Sequence, residues 1–565
     1  MIWTPRLARL ALRIADLPED EFLRRVKTGP PSSRRLEFRL RFRHDLGLFA
    51  RYCFPDVAYR PFNAFHREVL NRPKVAHTER TRTARRALAA PRGIAKSTIT
   101  KIDAAHDIVY GLEAFLVALS ATRPDAFSWS RTLRAWFGAE GSPLWELYGP
   151  FIVTGAQESF SVQVGAGRPI DVVSRSFGGT VRGLNEGGSR PTRVIVDDGE
   201  DRHKVGNPRI RAEWQQTLNE DILKLGSAEG GTIFDWLGTV LHPDAILARI
   251  LERRGPNKGW TSSKWAALSA WPSSTALWES CREVWADLEA AAQLVAAGEA
   301  DTPEEAQELR AAAYYTAHRA EMDAGAEVLD PYALPLFRVF LLIWQEGRAS
   351  VLKELFNEPV DPSSQPFDSR TFKRCTFDGH HIVNANGRRI ALSSCRLAVW
   401  LDPIPAEKTG SDYAALAVVA RDSVGYRYVL SCTLGRISPG AQRGWMWAAF
   451  DQYGPRALYG YESNGFQALL DEGFQREVAE RRRAGRGANL RPAGAPSTEN
   501  KIRRVSRLAP DCEHGFVQFA ADLPTLVLQQ FDSLVGGAHD DGPDAIERAD
   551  NLLTQVGGIT TADHW

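Results

Sequence analysis

One stretch, Ala89-Ala90-Pro91-Arg92-Gly93-Ile94-Ala95-Lys96-Ser97-Thr98, constrains this chain more than any other. Ala87 and Leu88 close a short apolar run suited to a buried strand. Ile99, Ile102, Ala105 and Val109 then recur at helical spacing, and Gly111 offers a stop. Strand, tight loop, Lys-Ser and helix is the setting of a phosphate-binding P-loop, where backbone N–H groups at a helix N-terminus face an anion. In that setting Arg92, Gly93, Ile94, Ala95, Lys96, Ser97 and Thr98 would cradle ATP. Lys96 would reach the β- and γ-phosphates and Ser97 would hold Mg²⁺. The strict pattern has Gly at positions 90 and 95, and this chain has Ala at both. By itself the loop reads equally well as an ordinary basic helix start, so the downstream sequence must break the tie.

A chain of 565 residues is too long for one core, which predicts two or more domains. The hydrophobic share of 44% and charged share of 25% are those of soluble globular proteins. A net charge of +1 gives no global basic footprint, so nucleic-acid binding must rest on local patches. Cys53, Cys281, Cys375, Cys395, Cys432 and Cys512 have no paired spacing, which speaks against a disulfide framework or structural zinc. The apolar run from Leu334 to Trp344 is broken by Arg338 and is too short to span a bilayer. The N-terminus lacks an apolar signal core. These features predict an intracellular, soluble protein without a membrane partner.

Residues 1–50 are expected to form a basic helical segment and 51–255 an ATPase domain. The aromatic-polar stretch Tyr59 to His66 precedes the loop and is a place where adenine could stack. Phe115 to Leu119 reads as a buried strand. Thr192 to Val196 reads as another, closed by Asp197-Asp198-Gly199-Glu200-Asp201. A strand that delivers a carboxylate to its C-terminal edge, downstream of a P-loop, has the form of a Walker B strand. Asp197 would then hold Mg²⁺, while Asp198 and Glu200 compete to orient the attacking water. Thr232 to Thr239 is a further strand, whose Gly238-Thr239 end could sense the γ-phosphate. Residues 256–360, rich in Ala, Glu and Arg, predict a helical insertion or lid closing the ATPase half, ending at Phe356-Asn357-Glu358-Pro359. Residues 361–393, with Pro362, Pro366 and Asn384-Ala385-Asn386-Gly387, predict a linker.

Residues 394–565 predict a second α/β domain. Leu397–Asp402, Asp412–Ala420 and Tyr426–Leu434 form a three-stranded antiparallel meander, and Ala457–Glu462 is a later strand ending in a carboxylate. His539-Asp540-Asp541-Gly542-Pro543-Asp544 opens a final helix. Asp402, Glu462, Asp541 and Asp544 in this order form an RNase H-like constellation, able to hold two Mg²⁺ or Mn²⁺ ions about 3.5–4 Å apart. The Arg481 to Arg491 segment, with Lys501 and Arg504, is the candidate for DNA phosphate contacts.

A P-loop ATPase (ASCE-type, mostly parallel sheet), a helical insertion and an RNase H-like nuclease in one chain resemble the large terminase subunit of tailed bacteriophages. The resemblance spans roughly residues 45 to 560. Pro91 to Ser97 is similar to the family's variant P-loop and Asp197-Asp198-Gly199-Glu200 to its Walker B region. Gly238-Thr239 is similar to its coupling motif, and Asp402, Glu462, Asp541 and Asp544 to its nuclease acids. Many members carry Asp-Glu where this chain has Asp-Asp, which leaves the water-activating residue open. The resemblance implies ATP-driven translocation of double-stranded DNA, cleavage of concatemers, a homopentameric ring on a portal protein, a small terminase partner and work in the host cytoplasm. A cellular helicase-nuclease and a structural ring subunit with degraded sites are the alternatives.

Overall fold

The computed structural model describes residues 18, 21–22, 24, 31–179, 189–227, 230–253, 257, 259–359, 365–404, 412–463, 467–490, 492–495 and 500–555. The chain divides into two compact units. The first is Met1–Ser273 with Asp323–Phe340 and Arg348–Asp361; the second is Ser274–Met322 with Leu341–Gly347 and Pro362–Trp565.

In the first unit, eight strands form one sheet: β1 (Ala84–Ala89), β2 (Phe115–Ser120), β3 (Phe151–Gly155), β4 (Ser159–Val164), β5 (Ile170–Ser176), β6 (Arg193–Asp197), β7 (Ile233–Gly238) and β8 (Thr261–Lys264). Their order is β3-β4-β5-β2-β6-β7-β1-β8, parallel from β5 to β8 and antiparallel from β3 to β5. Every residue of β2, β6 and β7 is buried, as parallel strands covered on both faces require. Val117, Leu119, Val194, Val196, Phe234 and Trp236 supply the centre of that core. The short strands β9 (Leu268–Ala270) and β10 (Glu327–Val328) pair separately. Because β1 and β6 are parallel and one strand apart, the loop after Ala89 and the carboxylate Asp197 emerge at the same sheet edge.

A buried ionic cluster ties the strands to the helix Lys96–Val109. Asp103 and Asp107 lie one turn apart on that helix, and neither touches solvent. Arg193, the first residue of β6, reaches Asp103 at 2.5 Å, Asp107 at 2.6 Å and Asp235 of β7 at 2.8 Å. Arg72 pairs with Asp103 at 3.1 Å and Asp107 at 2.6 Å; Lys74 pairs with them at 2.5 and 2.6 Å. Arg86 of β1 completes the set on Asp235 at 2.8 Å. Burial alone would raise these carboxyls. For Asp103 the guanidiniums of Arg193 and Arg72 outweigh it, and for Asp235 those of Arg86 and Arg193, so both are held below the usual carboxylate range.

Among the described residues the second unit carries nine strands: β11 (Arg374–Phe377), β12 (His381–Val383), β13 (Arg389–Ala391), β14 (Arg396–Asp402), β15 (Ala414–Arg421), β16 (Arg427–Gly435), β17 (Leu458–Glu462), β18 (Ala493–Ala495) and β19 (Val517–Ala520). Their order is β13-β12-β11-β19-β16-β15-β14-β17-β18. β14, β15 and β16 form the expected antiparallel meander. The helix Pro439–Tyr453, capped by Ser438 and ended by Gly454, then brings β17 back parallel to β14. This is the RNase H-like arrangement, and it sets two strands that end in carboxylates side by side.

Residues 361–393 are not only a connection. Asn384 accepts hydrogen bonds from the backbone N–H of Asn386 and Arg388, closing the hairpin of β12 and β13, and β11 joins the sheet beside β19. The turn residues were legible, but the strands around them are too short to show a period. Pro362 lies outside the described residues. Residues 256–360 are divided between the units. The helices Thr275–Ala286, Leu288–Ala296 and Pro303–Met322 belong with the second, where Trp285 packs its ring against Trp344, His514 and Phe516.

Replacing Arg193 by Met would leave three buried carboxylates short of their shared cation. The expected loss is about 3–5 kcal/mol in the first unit, because breaking a buried pair strands the remaining charge. Calorimetry that resolves the two units' transitions checks this: the first should move down and the second stay. An unmoved first transition would mean the cluster contributes no net stability.

Candidate functional site

The loop between β1 and its helix has the backbone of an anion cradle. Gly93 has φ +84°, and Ala95 stands in the left-handed region at φ 59°, ψ 32°. Ala95 thus adopts the conformation for which the strict pattern uses Gly, at a cost of about 1–2 kcal/mol. His66 donates from Nε2 to the Ile94 carbonyl at 2.6 Å and is itself fixed by the capping box of Asn63. The aromatic-polar stretch therefore braces the loop through His66, while Tyr59 is 68% exposed beneath the Arg60 guanidinium.

Lys96 is buried and donates to the carbonyls of Ala90 at 3.2 Å and Pro91 at 2.9 Å, and to Thr239 Oγ1 at 3.0 Å. Burial lowers its pKa, and Asp198 and Asp197 pull against that shift. Asp197 ends β6 beside Ser97, and its Oδ1 has no hydrogen-bond partner among the described residues. Burial, then the neighbouring Asp198, pushes its carboxyl up to about 6. A buried carboxylate oxygen without a donor, beside a serine hydroxyl, suits an oxygen-seeking cation such as Mg²⁺.

The two competitors after Asp197 have different surroundings. Asp198 is exposed, at φ 46°, and its Oδ1 accepts from the Thr239 N–H at 3.2 Å. Glu200 is buried, and its two oxygens accept from the N–H groups of Ile246 at 2.8 Å and Leu247 at 3.2 Å. It thereby caps the helix Ile246–Leu251, and burial raises its carboxyl to about 7. Sequence reasoning did not find Glu354. Its backbone carbonyl accepts from the Arg92 N–H at 3.0 Å, and its carboxylate pairs with Arg92 at 3.1 Å and with Arg202. Asn357, at φ 56°, links the Val240 N–H (2.8 Å) to the Trp265 carbonyl (2.8 Å), so the Phe356-Asn357 segment is bonded to the exit of β7. Thr98 lies in the first turn of the loop's helix.

In the second unit, Asp402 at the end of β14, Glu462 at the end of β17 and Asp544 in the helix Asp541–Gln555 bring carboxylate oxygens within 4.8 Å of one another. Pro543 sits in the first turn of that helix, where its missing N–H does no harm. Asp541 stands in a neighbouring group with Asp412 and His539, and accepts from the Tyr413 N–H at 3.1 Å. Lys501 lies 3.0 Å from Asp544 and 3.5 Å from Asp402; Arg504 pairs with Asp544 and, at 2.7 Å, with Glu547. Burial raises the Asp402 carboxyl to about 8; Lys501 opposes this, while Asp544 and Glu462 reinforce it. Three oxygen ligands converging at mutual electrostatic cost fit Mg²⁺ or Mn²⁺.

The basic segment divides. Arg481 donates to the Gly487 carbonyl at 2.8 Å, pairs with Asp451 and covers the Trp447 ring at 4.4 Å, so it is committed to packing. Arg482, Arg483 and Arg486 are exposed. Lys501 and Arg504 face the acids, and Arg491 lies outside the described residues. No helix among the described residues is long and apolar enough to cross a membrane.

The raised carboxyls have a thermodynamic consequence without metal. Asp402, with its pKa near 8, keeps a proton in the native state that the unfolded chain, with a carboxyl pKa of about 3.9, has released. Asp541, near 6, and Glu547, near 7, act in the same direction. The native state binds more protons across this window, so stability falls as pH rises through it. In EDTA the second unit's melting temperature should drop from about pH 5 to about pH 8, and Asp402→Asn should flatten that slope. An equal slope in the variant would show that Asp402 does not titrate there.

No family model and no characterised protein matches the sequence. Among solved structures, the chain is similar to the large terminase from a thermophilic bacteriophage, at 8% identity and a TM-score of 0.44, over 88% of this chain and 99% of that chain. The same terminase in complex with ADP matches at 8% identity and a TM-score of 0.40, over 84% and 91%. The Mn-soaked human cytomegalovirus terminase nuclease domain matches at 14% identity and a TM-score of 0.23, over 30% of this chain and 87% of that domain.

Proposed function

We propose that the protein is a viral DNA-packaging motor of the large-terminase kind, in which ATP hydrolysis by the first unit drives double-stranded DNA into procapsids and the second unit cuts concatemeric DNA. One observation supports the reading: Asp402, Glu462 and Asp544 converge at the ends of adjacent RNase H-like elements, in a chain whose other unit has a buried lysine, Lys96, at the helix start after β1 and within electrostatic reach of the strand-end carboxylate Asp197. In this reading Lys96 and the N–H groups of Arg92 to Thr98 bind the phosphates of ATP, and Ser97 and Asp197 hold Mg²⁺. Lys96 exchanges its bonds to Ala90, Pro91 and Thr239 for phosphate oxygens. Asp198, exposed and oriented by Thr239, positions the attacking water; Glu200 holds the adjoining helix in place. Thr239 touches both Lys96 and Asp198, so a change at the phosphates reaches the end of β7 directly.

In the second unit Asp402, Glu462 and Asp544 hold Mg²⁺ or Mn²⁺ ions, with Asp541 at the edge of the set. Bound there, the ions would neutralise charge on a scissile phosphate and activate its displacement. Arg482, Arg483 and Arg486 supply phosphate contacts that carry no sequence information. The partners proposed with this function are double-stranded DNA, further copies of the chain in a pentameric ring, a portal protein and a small terminase subunit, acting in the host cytoplasm.

Lys96→Ala should lower ATP turnover by about 10²–10³-fold while the protein stays folded, since a positioned charge in a partly dry site is lost. Near-normal turnover would remove the P-loop assignment. At saturating ATP, Asp198→Asn should stall hydrolysis with binding intact. Glu200→Gln should chiefly lower the first unit's melting temperature, because it weakens a helix cap worth about 1 kcal/mol. The opposite pattern would exchange their roles. Asp402→Ala should abolish metal-dependent plasmid nicking and leave phosphate release nearly intact; nicking at the normal rate would sink the nuclease reading.

A further inference from the structure

We propose that Lys501 is a resident counter-cation of the acid cluster, which a divalent ion must displace, so that the lysine sets the metal concentration at which this site fills. The inference rests on the reading of Asp402, Glu462 and Asp544 as metal ligands. The Lys501 ammonium lies 3.0 Å from Asp544 Oδ2 and 3.5 Å from Asp402 Oδ2, bridging two of the three ligands. Arg504 holds Asp544 Oδ1, and Oδ2 accepts no hydrogen bond among the described residues but has the Lys501 ammonium as its neighbouring charge. An ion that takes Oδ2 must therefore occupy the place beside it where the ammonium now stands.

The two cations differ in how readily they can leave. Arg504 is locked: its side chain is 3% exposed, and Glu547 holds it from the other side. The Lys501 side chain is 37% exposed, on a flexible stem whose ammonium is strongly hydrated. Asp540, at 3.9 Å and itself 30% exposed, offers the ammonium a position nearer solvent. Asn500 caps the helix Lys501–Ser506 through the Arg503 N–H at 3.1 Å, so the side chain can swing while the backbone stays. Keeping Lys501 in place beside a dication would set like charges within a few ångströms in a poorly screened pocket. Exchange avoids that cost, and competition for the ligands weakens metal binding.

The test is a calorimetric Mn²⁺ titration of the full chain as wild type, Lys501→Gln, Lys501→Arg and Asp402→Asn, with thermal melts in EDTA. Lys501→Gln should bind Mn²⁺ at least about tenfold more tightly than wild type, and its second unit should melt lower in EDTA, because the acids have lost their counter-charge. Lys501→Arg should stay near wild type in both measurements. If Lys501→Gln binds Mn²⁺ no more tightly than wild type while Asp402→Asn loses binding, the metal site stands and the Lys501 proposal falls. If Lys501→Arg gains as much affinity as Lys501→Gln, charge is not the cause and the proposal falls again. If neither wild type nor Lys501→Gln binds Mn²⁺, the metal-site reading fails and this proposal with it.

Discussion

The first unit depends on the ionic cluster centred on Arg193. A single guanidinium joins β6, which delivers Asp197, to the helix that follows the P-loop and, through Asp235, to β7. Arg86 extends the same bonds to β1, where the loop begins. The four elements that carry the loop after β1 and the strand-end carboxylate Asp197 are thus cross-linked through one buried cluster. Apolar packing could supply similar stability, but it would not demand one arrangement so strictly. Charges buried with too few partners are costly enough that a shifted helix would be expelled.

Local strain concentrates at the sheet edge where the loop and Asp197 emerge. Of the four non-glycine residues with positive φ among the described residues, Arg253 follows the helix Ile246–Leu251; the other three, Ala95, Asp198 and Asn357, lie at the loop, at the end of β6 or in the segment bonded to the exit of β7. Each is over-determined by neighbours: Ala95 by the His66 contact next to it at Ile94, Asp198 by Thr239, Asn357 by Val240 and Trp265. Non-glycine residues held in such conformations persist only where the surroundings impose them, and they gather at functional edges. An alanine at position 95 is therefore compatible with the backbone shape the loop takes.

Both units use one device, a carboxylate at the C-terminal end of a buried strand, and they differ in how its charge is managed. Asp197 is near Lys96 and Ser97 and retains an oxygen without a donor. Asp402 shares its cation with Asp544 and keeps a proton near neutrality. The second arrangement already holds an ammonium, that of Lys501, beside two of its carboxylates.

The strands β2, β6, β7 and β14 to β17 were legible because their apolar runs and terminal carboxylates follow from burial and sheet geometry alone. The P-loop, the Asp197-Asp198-Gly199-Glu200 run and the late Asp pair could be read because spacing within a few residues carries their chemistry. Strands β3 and β4 were not legible, since short, partly exposed runs on an antiparallel edge resemble loops. Residue order alone establishes which residue types are available at each strand end. Their employment comes from the fold: Glu200 capping a helix, Arg481 covering a tryptophan, Asp541 turned toward His539, and Lys501 among the acids. The reason is that a charged side chain's role depends on its partners, and those partners are far away in sequence.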